Sequence, residues 1–228
     1  MNLTAQQKRI CEQVVNVFET GTVQGDYGSI AIFPDGPCKI RQITYGRSQT
    51  TEYGNLDELL QMYVDANGTY SSQIRPYLEK IGVSALVDDD EFKQLLRDAG
   101  RNDPKMRQIQ DEFFDKRYFQ PAVAWADRNG FALPLSALVV YDSFIHSGSV
   151  PEFLRKRFAE LVPAKGGNEK TWVQQYVDTR NNWLANHSNP VLHPTVYRTR
   201  CFKQQISNGN WDLSQLPINA NGVNVSGQ

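Results

Sequence analysis

Ile10, Cys11, Val14, Val17 and Phe18 recur at the three-and-four spacing of one helical face. Thr4 with Gln7 ahead of them forms a capping-box start, and Gly21 supplies a stop. The first element is therefore an amphipathic helix. From Tyr27 to Gly46 the pattern changes. Residues 29–33 (Ser-Ile-Ala-Ile-Phe) and 39–45 (Lys-Ile-Arg-Gln-Ile-Thr-Tyr) read as two strands joined by the turn-forming Pro34-Asp-Gly-Pro37. No other substantial β structure is expected. Beyond Gly54 the periodicity is helical, with Leu56, Leu59, Leu60 and Tyr63 on one helix, Ile74, Tyr77, Leu78 and Ile81 on another, and Phe92, Leu95 and Leu96 on a third. Residues 105–129 suit one long helix kinked near Pro121. Residues 132–146 are apolar on nearly every face, which describes a central helix buried all round. Further helices are expected over 150–161 and 170–184, and the polar tail 214–228 is expected to be weakly ordered.

The pattern predicts a mainly α (α+β) protein with one small hairpin. At 228 residues the chain is long enough for one large domain or two small lobes. A formal net charge of -1 argues against nucleic acid as a partner, and no apolar run approaches membrane-spanning length. Residues 1–20 are amphipathic and unlike a signal peptide. Cys11, Cys38 and Cys201 are an odd count without metal-type spacing, so neither a disulfide framework nor a zinc site is expected. One pair is able to bridge in an oxidising compartment; three packed thiols is the simpler arrangement. His146, His187 and His193 form no HExxH motif, no Gly-x-Ser-x-Gly elbow occurs, and Gly166-Gly167 lacks the context of a phosphate loop. No metal or cofactor is expected.

Candidate chemistry begins with Glu19, in the last turn of the first helix, followed by a hairpin that carries Asp35. Paired carboxylates of this kind suit glycosidic hydrolysis, which needs a proton donor and a water-activating base. The negative end of a helix dipole disfavours an ionised carboxylate, as a proton donor requires. On position alone, a solvated side chain on a frayed helix end is the simpler reading of Glu19. Asp142 lies within the all-apolar helix, where an ionised carboxylate needs a partner. Arg180, following Trp172 and Tyr176, and Arg200, in Tyr-Arg-Thr-Arg-Cys-Phe, are both candidates, and a purely structural ion pair fits as well. Asp26, Glu52, Asp57 and Glu58 add acidic groups near the hairpin, each most simply a solvated charge and together able to attract a cationic polymer. Tyr27, Tyr45, Tyr53 and Tyr63 are able to stack on sugar rings or simply to pack.

Several collinear segments resemble glycoside hydrolase family 46, the inverting chitosanases of the lysozyme-like superfamily. They are Lys116-Arg-Tyr-Phe-Gln-Pro-Ala-Val123, Tyr141-Asp142 after an apolar run, Ala164-Lys-Gly-Gly-Asn-Glu169, Val177-Asp-Thr-Arg180 and Gly209-Asn-Trp-Asp-Leu213. The resemblance implies a two-lobed, lysozyme-like fold, with residues 1–213 as a single catalytic domain and the substrate in a cleft between its lobes. It implies Glu19 as general acid, Asp35 as general base and Thr44 as the threonine that helps hold the attacking water. Tyr27 precedes Asp35 by the family's spacing. Arg200, Asp142 and Arg180 would form a buried network behind the acid, and Tyr27, Arg41, Asn55 and Asp57 would contact substrate. Two departures stand out. The stretch from Asp35 to Thr44 is longer than the family's Asp-Gly-x-Gly-x-Thr, which leaves Asp26 as a reserve base. Asn55 stands where the family has an aspartate that grips a glucosamine ammonium.

The resulting expectation is an endo-acting, inverting chitosanase, monomeric and acting on an amino-sugar polysaccharide. Secretion with the leader absent or trimmed is expected, with cytoplasmic residence or non-classical delivery left open. The rival readings are a peptidoglycan hydrolase on the same fold and a non-catalytic amino-sugar-binding protein.

Overall fold

In the computed structural model, which describes residues 1–47 and 49–228, the chain runs α1 (Ala5–Thr20), β1 (Ile30–Phe33), β2 (Gln42–Tyr45), β3 (Thr50–Thr51), α2 (Leu56–Asp65), α3 (Ser71–Ile74), α4 (Asp90–Asn102) and α5 (Pro104–Phe114). It continues through α6 (Gln120–Arg128), α7 (Pro134–Ser147), α8 (Glu152–Arg155), α9 (Glu169–Ala185), α10 (Tyr197–Ser207), β4 (Ile218–Ala220) and β5 (Val223–Val225). The chain divides into two compact units. One joins Met1–Gln24 to Lys116–Gln228, and the other is Gly25–Asp115.

In the first unit α7 is the hub. Every residue from Pro134 to Ser143 is buried, and the helix packs against α1, α6, α9 and α10. Its first turn is satisfied from outside. Glu169 accepts hydrogen bonds from the Leu133 N–H (2.8 Å) and the Ser136 hydroxyl (2.6 Å). A carboxylate at a helix N-terminus meets both the orphan donors and the positive dipole end. The long helix expected over 105–129 is interrupted just before Pro121, where Asp115–Phe119 is π-helical. Proline lacks the N–H and crowds the preceding turn, and a widened turn accommodates both. The helix expected over 150–161 shortens to α8, and the one expected around Ile74–Ile81 to α3 with a 3₁₀ turn at Arg75–Tyr77.

The tail corrects the expectation of weak order. Asn221 and Gly222 take positive φ (51° and 88°) and turn a hairpin of β4 against β5, the role Asn-Gly fills between twisted strands. Ile218, Ala220 and Val225 are buried, against α1 and α10. Gln13 pins the end, donating from Nε2 to the Gln228 carbonyl (2.8 Å) and accepting from the Gly227 N–H (3.0 Å).

In the second unit a three-stranded antiparallel sheet has the order β1-β2-β3, with Ile30 opposite Tyr45 and Phe33 opposite Gln42. Ile43 and Tyr45 join Leu56, Leu59, Leu60, Tyr63, Phe92 and Leu96 in the core. Tyr45 and Tyr63 are therefore packing residues, not exposed platforms for sugar. Glu52, expected to be solvated, is buried. It accepts from the Ile43 N–H (3.1 Å) and the Leu86 N–H (2.7 Å), so its charge is spent tying a loop to the sheet.

Candidate active site

The last turn of α1 is fixed, not frayed. Thr4 and Gln7 form the reciprocal capping box at its start, and Gly21 at φ 75° closes it with an N–H bond to the Val17 carbonyl (2.9 Å). The Tyr197 hydroxyl donates to the Phe18 carbonyl at 2.7 Å, an orphan acceptor of the helix end. The Phe18 ring packs on Tyr197 and Phe202. Glu19, the next residue, keeps 17% of its side chain exposed. It is held, yet open enough to meet a ligand.

Behind it runs a chain of ion pairs. Arg198 donates from Nη2 to Glu19 Oε1 and from Nη1 to Asp142 Oδ1 at 2.6 Å. Arg180 donates from Nη1 to Asp142 Oδ2 at 2.6 Å. Asp142 is fully buried and gives one oxygen to each guanidinium. Burial pushes its carboxyl pKa up, but Arg180 and then Arg198 outweigh that and hold it below the ordinary carboxylate value. Burial alone would lower the Arg198 pKa; Glu19 and Asp142 raise it above its ordinary value.

This corrects one sequence expectation. Arg198, and not Arg200, joins the acid to Asp142; Arg200 is exposed. The buried positions of α10 include Arg198, Cys201, Phe202 and Gln205, the three-and-four spacing of one face. Arg200 is two residues, more than half a turn, off that face. The same rule applied to Tyr-Arg-Thr-Arg-Cys-Phe would have chosen Arg198. Arg180 does share the buried stripe of α9 with Trp172 and Tyr176.

His146 lies one turn beyond Asp142 on α7. Its Nδ1 is buried and unpartnered among the described residues. Burial first, then the charges of Arg198 and Arg180, push its pKa down to about 4, with Asp142 pulling weakly the other way. The neutral ring is thus favoured by folding. Its contribution to stability is complete above the unfolded value of 6.5 and is lost as pH falls toward 4. His146→Gln should flatten the stability profile across that window by roughly 2 kcal/mol, allowing for partial exposure. Urea titrations at pH 4.5 and 7.5 test this; an unchanged slope would refute it.

Asp35 sits in the exposed connection between β1 and β2, and its Oδ1 accepts from Gln42 Nε2 at 2.9 Å. Thr44 is on β2, and its hydroxyl is buried with no partner among the described residues. The reserve base Asp26 is half-buried and already bonded to the Gly28 N–H at 3.0 Å, an Asx turn that gives it a structural task. Tyr27 donates its hydroxyl to Asp111 Oδ1 (2.9 Å). Arg41 is exposed and lies 3.5 Å from Asp88. Asn55 precedes α2 without capping it and accepts a long bond from the Thr51 N–H (3.4 Å). Asp57 is exposed in the first turn of α2. Cys11 and Cys201 are buried, Cys38 is exposed, and all three thiols are free. Among the described residues no group of three His, Cys, Asp or Glu side chains is placed to hold a metal ion.

One unit thus carries an anchored glutamate whose side chain is partly open, and the other an aspartate steadied by Gln42; carboxyl groups are what glycosidic bond hydrolysis uses. Fold and family match together define a glycoside hydrolase. The sequence matches the model of glycosyl hydrolase family 46 over residues 13–218, and the chain belongs to that family. A chitosanase of Bacillus subtilis (strain 168) is 30% identical over 201 residues, covering 82% of this chain and 70% of that one. Among solved structures, the Gynuella sunshinyii GH46 chitosanase in complex with chitotetraose has a TM-score of 0.81 at 27% identity, with 98% of each chain covered. A mutant chitosanase from Bacillus subtilis MY002, complexed with 6 GlcN, has a TM-score of 0.81 at 25% identity, covering 99% of this chain and 100% of that one. The fold is the mainly α, lysozyme-like one of these enzymes.

Proposed function

We propose that this chain is an endo-acting chitosanase that hydrolyses β-1,4 bonds between glucosamine units with inversion at the anomeric carbon. Glu19 protonates the leaving oxygen, Asp35 takes a proton from the attacking water, and the Thr44 hydroxyl helps to hold that water. The observation that carries this reading is the fixed Glu19 carboxyl, tied through Arg198 to buried Asp142, in a chain similar to chitosanases solved with chitotetraose and 6 GlcN. The exposed acids Asp57 and Asp65 on α2 add negative surface that suits a polycationic substrate. Asn55, in place of an acid, removes one source of preference for deacetylated sugar and favours tolerance of N-acetyl groups. Neither the peptidoglycan nor the pure binding reading gains an observation of its own. A polymer substrate too large to enter a cell supports secretion, and a monomer suffices for the proposed roles.

The test is hydrolysis of chitosans of graded acetylation beside a purified cell-wall control, with the products followed by proton NMR. Release of oligosaccharides whose new reducing ends appear first as the α anomer is expected. First appearance of the β anomer would overturn inversion. Clearing of cell walls with inertness toward chitosan would overturn the substrate.

A further inference from the structure

The connection 34–41 lies outside the β1–β2 ladder, whose last pair is Phe33 with Gln42. Its backbone is closed by the Gly36 N–H on the Ile40 carbonyl (3.1 Å) and the Lys39 N–H on the Gly36 carbonyl (2.9 Å), and the Asp35 carboxylate itself is held by a side chain. Gln42 is 5% exposed, and both ends of its amide are engaged. Its Oε1 accepts from the Tyr53 N–H (3.2 Å), and its Nε2 donates to Asp35 Oδ1 (2.9 Å). The Tyr53 N–H is purely a donor and fixes which way the amide faces, so the NH₂ end must point at the carboxylate. Gly36 lets the turn close on Ile40: a Cβ there would stand 2.7 Å from Ile40 Cγ2 and 3.0 Å from the Ile40 carbonyl oxygen. Gln42 and Thr44 alternate along β2 and share a face, and the Thr44 hydroxyl is buried without a partner among the described residues.

The geometry points to Gln42 as the positioning residue of the general base: its buried amide occupies one oxygen of Asp35 and leaves the other for water. The longer connection here gives up the constraint of a short turn, and Gln42 supplies it from the neighbouring strand. This inference rests on the reading of Asp35 as the base.

Gln42→Glu isolates the contact, because it keeps the shape and the acceptor for the Tyr53 N–H but replaces the donor facing Asp35 with oxygen. At neutral pH kcat on chitosan should fall about 10- to 100-fold, the scale of a base displaced by up to an ångström, with KM within about twofold. The deficit should shrink as pH falls, because the introduced carboxyl, once protonated, donates as the amide does. Gln42→Met, which has no donor, should show a similar loss without that recovery. Asp35→Asn is measured in parallel, and adding Gln42→Met to it should cost no further kcat. Wild-type kcat in both Gln42 variants, with Asp35→Asn inactive, overturns the positioning role alone. A loss confined to thermal stability and equal at every pH also overturns it. Wild-type kcat in Asp35→Asn overturns the base itself.

Discussion

Glu19→Gln should lose nearly all turnover on chitosan while still binding it. The substitution preserves shape and a hydrogen-bonding oxygen for Arg198, so the helix end held by Tyr197 and Gly21 remains in place. What disappears, under the proposed mechanism, is the transferable proton. General acid catalysis contributes about 10² to 10⁴ in rate, so kcat should fall by that factor with KM near that of the wild type. Arg198 keeps Asp142 as its anion, so thermal unfolding should shift by only a few degrees. Reducing-end release, oligosaccharide binding by calorimetry and a melting curve measure the three quantities. Full activity in the variant would remove Glu19 from the mechanism, and an unfolded variant would show that it is a structural residue instead.

Asp142→Ala carries the largest expected effect on stability. Asp142 is fully buried between two guanidiniums, themselves nearly inaccessible. Removing it strands Arg180 without its anion and leaves Arg198 with Glu19 alone. Breaking one partner out of a buried ion pair costs about 3–5 kcal/mol, which should appear in the denaturant midpoint. Turnover should fall too, because Arg198 loses the bond that aims it at Glu19. The pH dependence has a definite sign. The Asp142 carboxyl is held below its ordinary value of 3.8 in the folded protein. Its contribution is therefore present above that value and lost as pH falls through the folded one. Wild-type protein should thus lose stability at strongly acid pH by a component that Asp142→Ala lacks. A variant of wild-type stability and rate would show that the ion-pair chain contributes nothing.

Those two experiments bear on residues that differ in how they could be read. The position of Asp142 within an apolar run was enough to demand a cation, because a buried carboxylate has few alternatives. Which arginine answered was a matter of helical phase. Arg180 follows the stripe of Trp172 and Tyr176, whereas Arg200 is off the buried face and Arg198 is on it. The order of the tail is hidden in the sequence by its polar composition. Its signal was the alternation of Ile-Asn-Ala and Val-Asn-Val about Asn221-Gly222, a period too short to stand out. The burial of Glu52 is hidden for a different reason. Its burial is made acceptable by two backbone donors, one of them far along the chain, and no local pattern announces that.

By itself, the sequence determined several elements and their inward faces. The capping box and Gly21 set the ends of α1, the apolar run set the buried helix α7, and the change of period at Tyr27 set the hairpin. These are consequences of interactions within a few residues of each other, or of the bare tendency of apolar surface to leave water. The tertiary structure decided the partners. It decided that Arg198 joins Glu19 to Asp142, that Tyr197 closes the end of α1, and that the tail folds onto α1 and α10. Such contacts join residues far apart in the chain, and their energy depends on ångström-scale distance and on exclusion of water. Neither quantity exists until the chain has packed.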